Sequence, residues 1–176
     1  MNKISIAITG HRPNKLWGYD ITLSKYKILE AILIQTIGDI WHQKSPLYMH
    51  QCEVECITGM ALGVDTIFAQ AVLELKQMFP MVKLVAAIPC QGQSLKWNAK
   101  AQQNYFNILK LADERYFISN NLYAKGCMNE RNQYMIDRCD VLIAVWNGDE
   151  TGGTYDAVKK ATKANKEIIR IDPKLI

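Results

Sequence analysis

Ile4-Ser5-Ile6-Ala7-Ile8-Thr9-Gly10 is a short, β-branched apolar run that stops on a glycine. A run of this length and composition reads as a buried parallel strand followed by a turn. Downstream, residues 25–43 have helical period, with Ser24 as a capping residue and an apolar face through Ile28, Ala31, Ile32, Gln35 and Trp41. Residues 44–53 lose that period around Pro46 and read as a loop. Strands are expected at 54–58, 83–88, 115–118, 141–146 and 167–171, and helices at 64–78, 95–112, 128–137 and 154–165. Alternation of this kind predicts one Rossmann-like α/β domain: a doubly wound, mostly parallel sheet with helices on both faces.

The composition suits such a domain. The chain has 176 residues, 49% of them apolar, enough to bury a core without disulfides or a metal. A net charge of +4, with basic residues scattered except for Lys159, Lys160, Lys163 and Lys166, is too mild for a duplex-DNA surface. The five cysteines are odd in number and contain no C-x-x-C, which fits a reduced, cytoplasmic chain. No apolar run reaches membrane-spanning length, and no basic-then-apolar leader precedes the first strand, so a soluble, unprocessed protein is expected. The spacing of His42, His50, Cys52 and Cys56 matches no usual zinc pattern, and neither a metal nor a cofactor is expected.

In a doubly wound sheet, ligands bind beyond the carboxyl ends of the strands, so the residues that follow each strand carry the functional reading. Thr9-Gly10-His11-Arg12 combines a backbone able to approach a ligand with donors suited to an oxyanion. Gly59-Met60-Ala61-Leu62-Gly63-Val64-Asp65 opens into a helix whose first amides favour an anion, with Asp65 set to cap the helix or bind ribose hydroxyls. Gln93 and Trp97 follow the third strand and are candidates to read and stack on a base, with a core position on an amphipathic helix as the alternative for Trp97. Arg131 and Asn132, on the helix before the fifth strand, are clamp candidates, with an ordinary surface salt bridge from Arg131 to Glu130 or Asp137 as the alternative. After the fifth strand, Gly152-Gly153-Thr154 offers inward-turning amides and a hydroxyl at a helix start, favourable to phosphate oxygens. Cys90 and Cys127 read as buried, inert thiols.

Taken together and in order, these motifs, with Pro89, Tyr105, Met135 and Asp137, resemble those of the SLOG superfamily and its YpsA-like branch. The superfamily also holds the LOG-type phosphoribohydrolases and the DNA-uptake protein DprA. The resemblance implies a Rossmann-like fold that binds a nucleotide-like ligand between its Gly-rich loops, in a homo-oligomer; the long apolar first helix with Trp41 offers surface for that assembly. Met128-Asn129-Glu130-Arg131 is similar to the LOG helix whose arginine helps bind and cleave substrate. The LOG phosphate loop carries a glutamate where this chain has Ala157, and Asp156 stands one residue early, about 100° away on a helix.

The expected function is therefore binding or sensing of a small nucleotide-derived molecule, such as an ADP-ribose-like compound or a nucleotide sugar. The alternative is cleavage or transfer at an N-glycosidic bond of a nucleoside monophosphate, with Arg131 as binding residue and Asp65, Asp149, Glu150 or Asp156 as the carboxylate. Single-stranded DNA binding through the Lys159–Lys166 helix ranks below both, because those lysines fit the solvent face of an amphipathic helix.

Overall fold

In a computed structural model that describes residues 2–45 and 52–176, the strand-length runs all join one sheet. In chain order the elements are β1 (Asn2–Gly10), α1 (Ser24–Lys44), β2 (Cys52–Thr58), α2 (Val64–Met78), β3 (Val82–Ile88), α3 (Ala99–Leu111), β4 (Glu114–Phe117), α4 (Cys127–Arg138), β5 (Val141–Val145), α5 (Gly152–Lys163) and β6 (Glu167–Ile171). The strand order is β4-β3-β2-β1-β5-β6, and every neighbouring pair is parallel. From the central β1 the chain winds outward through β2 and β3 to β4, then crosses back to β1's other side for β5 and β6. The carboxyl ends of β1 and β5 thus flank the topological switch point, where such sheets hold their ligands.

The twofold period of a strand divides β1 between two cores. Ile4, Ile6 and Ile8 enter the larger one, built with α1, α2 and α3. Ala7 enters the smaller one, with Ile57, Val85 and Leu142 from the sheet and Met135, Ile136 and Ala161 from α4 and α5. Each fully buried Ile or Leu in these layers contributes roughly 1.5–3 kcal/mol of transfer free energy. Gly10, at the end of β1, is where the sheet and α2 come closest. A Cβ there would lie 2.5 Å from the Val64 side chain, so only glycine lets α2 seat against the strand end.

Several local expectations are corrected. Ser24 does not cap α1; Leu23 holds the cap position and makes no side-chain cap bond. The buried stripe of α1 is Tyr26, Leu29, Leu33, Ile37, Ile40 and Trp41, whereas Ile28, Ala31 and Gln35 face solvent. Because α1 is apolar on most sides, its periodicity fits either stripe, and the packing against α2 and the sheet selects one. Trp41 is buried edge-on against Phe79, which removes it from the surface proposed for oligomerisation. α3 starts at Ala99, with Asn98 accepting from the Ala101 amide at 2.9 Å, so Trp97 precedes the helix. Cys52 and Glu53 belong to β2 rather than to a loop. Lys44 ends α1 and Ser45 follows as its C-cap, and residues 46–51 of that loop, with Pro46 and His50, lie outside the described residues.

Candidate functional site

A cavity of about 390 Å³ opens at the switch point, within the size range of small-molecule sites. Its walls come from the end of β1 and the turn after it (Thr9, Gly10, His11, Arg12), from the α4 side chains Arg131 and Asn132, and from the start of α5 (Gly152, Gly153, Thr154). Ala61 and Asp65 close the side toward β2, and Asn14 and Lys15 stand at the mouth. The structure thus brings together Thr9, Gly10, His11, Arg12, Asp65, Arg131, Asn132, Gly152, Gly153 and Thr154 from four separate stretches of sequence.

α5 begins two residues earlier than its sequence suggests. Thr151 takes the N-cap position, but its hydroxyl donates to Asp149 Oδ1 at 2.8 Å and does not cap the helix. The first amides of α5, at Gly152, Gly153 and Thr154, therefore have neither an intrahelical nor a side-chain acceptor. Gly152 has φ +81°, a conformation that side chains rarely adopt. A Cβ on Gly153 would meet no atom within 4 Å, so that position opens onto space. Thr154 sits in the first turn, buried, with its side chain on the cavity wall.

Opposite these amides lies a buried ion pair. Arg131 Nη1 stands 3.7 Å from Asp65 Oδ2, with both side chains below a tenth exposed. Arg131 Nη1 also donates to the Gly59 carbonyl at 2.6 Å, and its Nε donates to Asn132 Oδ1 at 3.0 Å. This excludes the surface salt bridge to Glu130 or Asp137. Burial pushes the Asp65 carboxyl above the usual carboxylate range, opposed by the Arg131 and Arg12 guanidinium groups and by the amides of Ala61 and Gly59. Asp65 accepts from the Ala61 amide at 3.2 Å but makes no cap bond to α2. The carboxylate thus fills the anion position that the second loop would otherwise offer, and Val64 donates its amide to the His11 carbonyl.

Gly59, Met60, Gly63, Gln93 and Trp97 are not on the cavity wall. Gly59 lies beneath Arg131: a Cβ there would fall 1.7 Å from Nη1, and its carbonyl accepts from both Arg131 and Gln93 Nε2. Met60 is fully buried at φ 55°, and Gly63 turns at φ +96° against the His11 carbonyl. Trp97 packs edge-on against Tyr105 at 5.3 Å and joins the larger core. Gly59, with Gln93 on the same carbonyl, supports Arg131, while Met60, Gly63 and Trp97 serve the packing and turns around that loop, roles that spacing alone does not distinguish from ligand contact.

The candidate carboxylates divide in the same way. Asp156 points to Asn132 Nδ2 at 3.1 Å, to Asn129 and to Lys160, and it is off the cavity wall, while Ala157 is on it. Glu150 is exposed and off the wall. Asp149 receives Lys15 Nζ at 2.6 Å across the mouth, and this bond with that from Thr151 holds its carboxyl below the usual range.

Sequence reasoning missed three positions that shape the site. Lys15 bridges the first and fifth loops, and Asn14 lines the mouth. Asn147 orients His11: its Oδ1 accepts the Asp149 amide at 3.0 Å and lies 2.8 Å from His11 Nε2, and its backbone amide lies 3.3 Å from the same nitrogen. The only available signal was their place beside glycine-containing strand ends. Among the described residues, no group of three or more His, Cys, Asp or Glu side chains is placed to hold a metal ion, and no helix is long and apolar enough to cross a membrane.

These features define a Rossmann-like three-layer α/β protein with a cavity at its switch point. A profile of the YpsA family, described as the YspA SLOG family, matches residues 6–175, and the chain belongs to that family. It is 31% identical over 147 residues to a UPF0398 protein of Staphylococcus epidermidis, covering 83% of this chain and 74% of the relative. It is 33% identical over 107 residues to the uncharacterized SPbeta prophage-derived protein YoqJ of Bacillus subtilis, covering 54% of this chain and 63% of that one. Among solved structures, DNA processing protein A from Streptococcus pneumoniae superposes with a TM-score of 0.59 at 15% identity, over 96% of this chain and 50% of that one. The Helicobacter pylori DNA processing protein A, described for its single-stranded DNA binding mode, gives a TM-score of 0.58 at 20% identity, over 96% of this chain and 65% of that one. At those identities the likeness is one of fold.

Proposed function

We propose that this protein binds a small nucleotide-derived anion, with a phosphate group seated on the first amides of α5. The observation that carries this reading is the charge and donor balance of the cavity wall. Arg12 and Arg131 share the wall with one carboxylate, Asp65, Lys15 is paired with Asp149 at the mouth, and the unengaged amides of Gly152, Gly153 and Thr154 open onto the same space. Helix N-termini favour anions through those amides and through the helix dipole. Thr9 and His11 are within the same wall and suit the hydroxyls of a sugar.

Binding stands ahead of N-glycosidic cleavage because the one acidic wall residue among those described is already committed to Arg131 and Ala61. The candidates Asp156, Glu150 and Asp149 are turned aside, exposed or tied to Lys15. Single-stranded DNA binding has support only from fold neighbours at 15–20% identity, and it serves as a comparison arm in the test.

The experiment is thermal stabilisation of the purified protein by AMP, ADP-ribose, UDP-glucose and a thymidine oligonucleotide, followed by calorimetry. A ligand at 100 times its dissociation constant stabilises by about 2.7 kcal/mol, enough to move the melting temperature by several degrees. No shift with any mononucleotide or nucleotide sugar, or a shift with the oligonucleotide alone, would overturn the proposal.

A further inference from the structure

Two of the five α-helices begin after a residue whose side chain can cap them, and the two side chains are used differently. At α3, Asn98 accepts from the Ala101 amide, the ordinary cap. At α5, Thr151 has the extended backbone that capping requires, with φ −131° and ψ 151°, yet it makes no cap bond. Its hydroxyl donates to Asp149 Oδ1 at 2.8 Å and receives Lys15 Nζ at 3.4 Å. Asp149 is braced in turn. Lys15 Nζ donates to its other carboxylate oxygen at 2.6 Å, and its own amide donates to Asn147 Oδ1 at 3.0 Å.

A threonine at an N-cap accepts from the second or third amide of its helix, here Gly153 or Thr154. Both residues line the cavity, so a cap bond would take one of these amides from an incoming anion. The cavity holds further polar groups without partners. Thr9 and Thr154 line it, each more than nine-tenths buried, and neither hydroxyl is hydrogen-bonded among the described residues. An unmade threonine cap forfeits helix stability, and local optima of this kind are set aside mainly where a site needs the groups left open.

On the reading that an anion seats at α5, on which this role rests, we infer that Asp149, braced by Lys15, is a positioning residue: it holds the Thr151 hydroxyl off the helix and keeps the first amides of α5 open. Without Asp149 the hydroxyl is free to turn onto the Gly153 or Thr154 amide, and an anion then has to displace it. Loss of the Asp149 charge and release of Lys15 act in the opposite sense, drawing anions in. Asp149→Ala is therefore measured with and without the Thr151 hydroxyl, so that the charge effect is common to both and cancels.

Inorganic phosphate is titrated into the full chain while the Gly152, Gly153 and Thr154 amides are followed in proton–nitrogen correlation spectra, which also show that each variant is folded. Thr151→Val keeps the shape of the side chain and removes the cap. It should strengthen phosphate binding about fivefold when residue 149 is alanine, and far less when Asp149 is present. Phosphate that moves none of the three amides in the wild-type protein overturns the anion-binding reading and this role with it. If phosphate binds the wild type, but Asp149→Ala and Asp149→Ala/Thr151→Val bind it equally, or Thr151→Val acts alike in both backgrounds, the positioning role alone is overturned.

Discussion

Replacing Arg131 by Met removes the cation from the buried pair while keeping most of the side-chain volume. At the observed 3.7 Å separation, an effective dielectric constant of about 20 gives an attraction of about 4.5 kcal/mol. The Gly59 carbonyl keeps a donor in Gln93 at 2.9 Å, so little of the cost arises there. Asn132 Oδ1 loses its guanidinium donor, and Asp65 is left as a buried charge without its counter-ion. Breaking a pair in this way costs about 3–5 kcal/mol at neutral pH, to be read as a lower midpoint at unchanged slope in urea unfolding without ligand. The pH dependence identifies the cause. Asp65 is already held above its unfolded pKa by burial, and without Arg131 it rises further. A raised carboxyl favours folding when it is protonated, so the deficit of the variant is full above the folded pKa and shrinks as the pH falls below it. Asp65→Asn added to Arg131→Met removes the stranded charge and should recover much of the loss. A deficit below about 1 kcal/mol, or one unchanged between pH 4 and pH 8, would refute the account of a charge-balanced site.

Gly153→Ala places a methyl group in open space at a helical position, so stability should hold or rise by up to about 1 kcal/mol, while binding of the stabilising nucleotide weakens. Calorimetry and urea unfolding on the same preparation separate the two effects. Burial works to raise the Asp113 carboxyl, but the Lys76 hydrogen bond and the Leu84 amide outweigh it and hold the carboxyl below its usual value. Its contribution is therefore present at neutral pH and lost as the pH falls through the folded pKa. Asp113→Asn should cost at most about 1 kcal/mol at pH 7, since the pair is solvent-screened, and nothing in strong acid. All five cysteines are buried, and burial pushes the Cys139 thiol up to about 11. Ellman's reagent at pH 8 should therefore find no fast-reacting thiol in the native protein and all five in denaturant.

The helix and strand inventory was legible because it depends on local composition. Runs such as 4–8 and 141–145 are apolar enough to be strands in any packing, and glycine or proline ends most of them. Where the local signal was degenerate, the reading failed: α1 is apolar on several sides, so its buried stripe was misplaced. The start of α5 was placed late because glycines at 152 and 153 lack helix propensity, yet a φ of +81° and the open space of the cavity accommodate them.

By itself, the sequence determined the parallel α/β class and the family motifs, since strand-length runs, glycines and their order are local properties. It also placed Arg131 and Gly152-Gly153-Thr154 among the candidates. Only the tertiary structure decided which candidates meet. Arg131 finds Asp65 across 66 residues of chain, Lys15 finds Asp149, and Gly59 with Gln93 supports Arg131 from beneath. Such pairings depend on strand order, which sets β1 between β2 and β5 and brings separate loops to one edge. Charge, burial and hydrogen-bond partners are properties of that meeting place, and no single segment carries them.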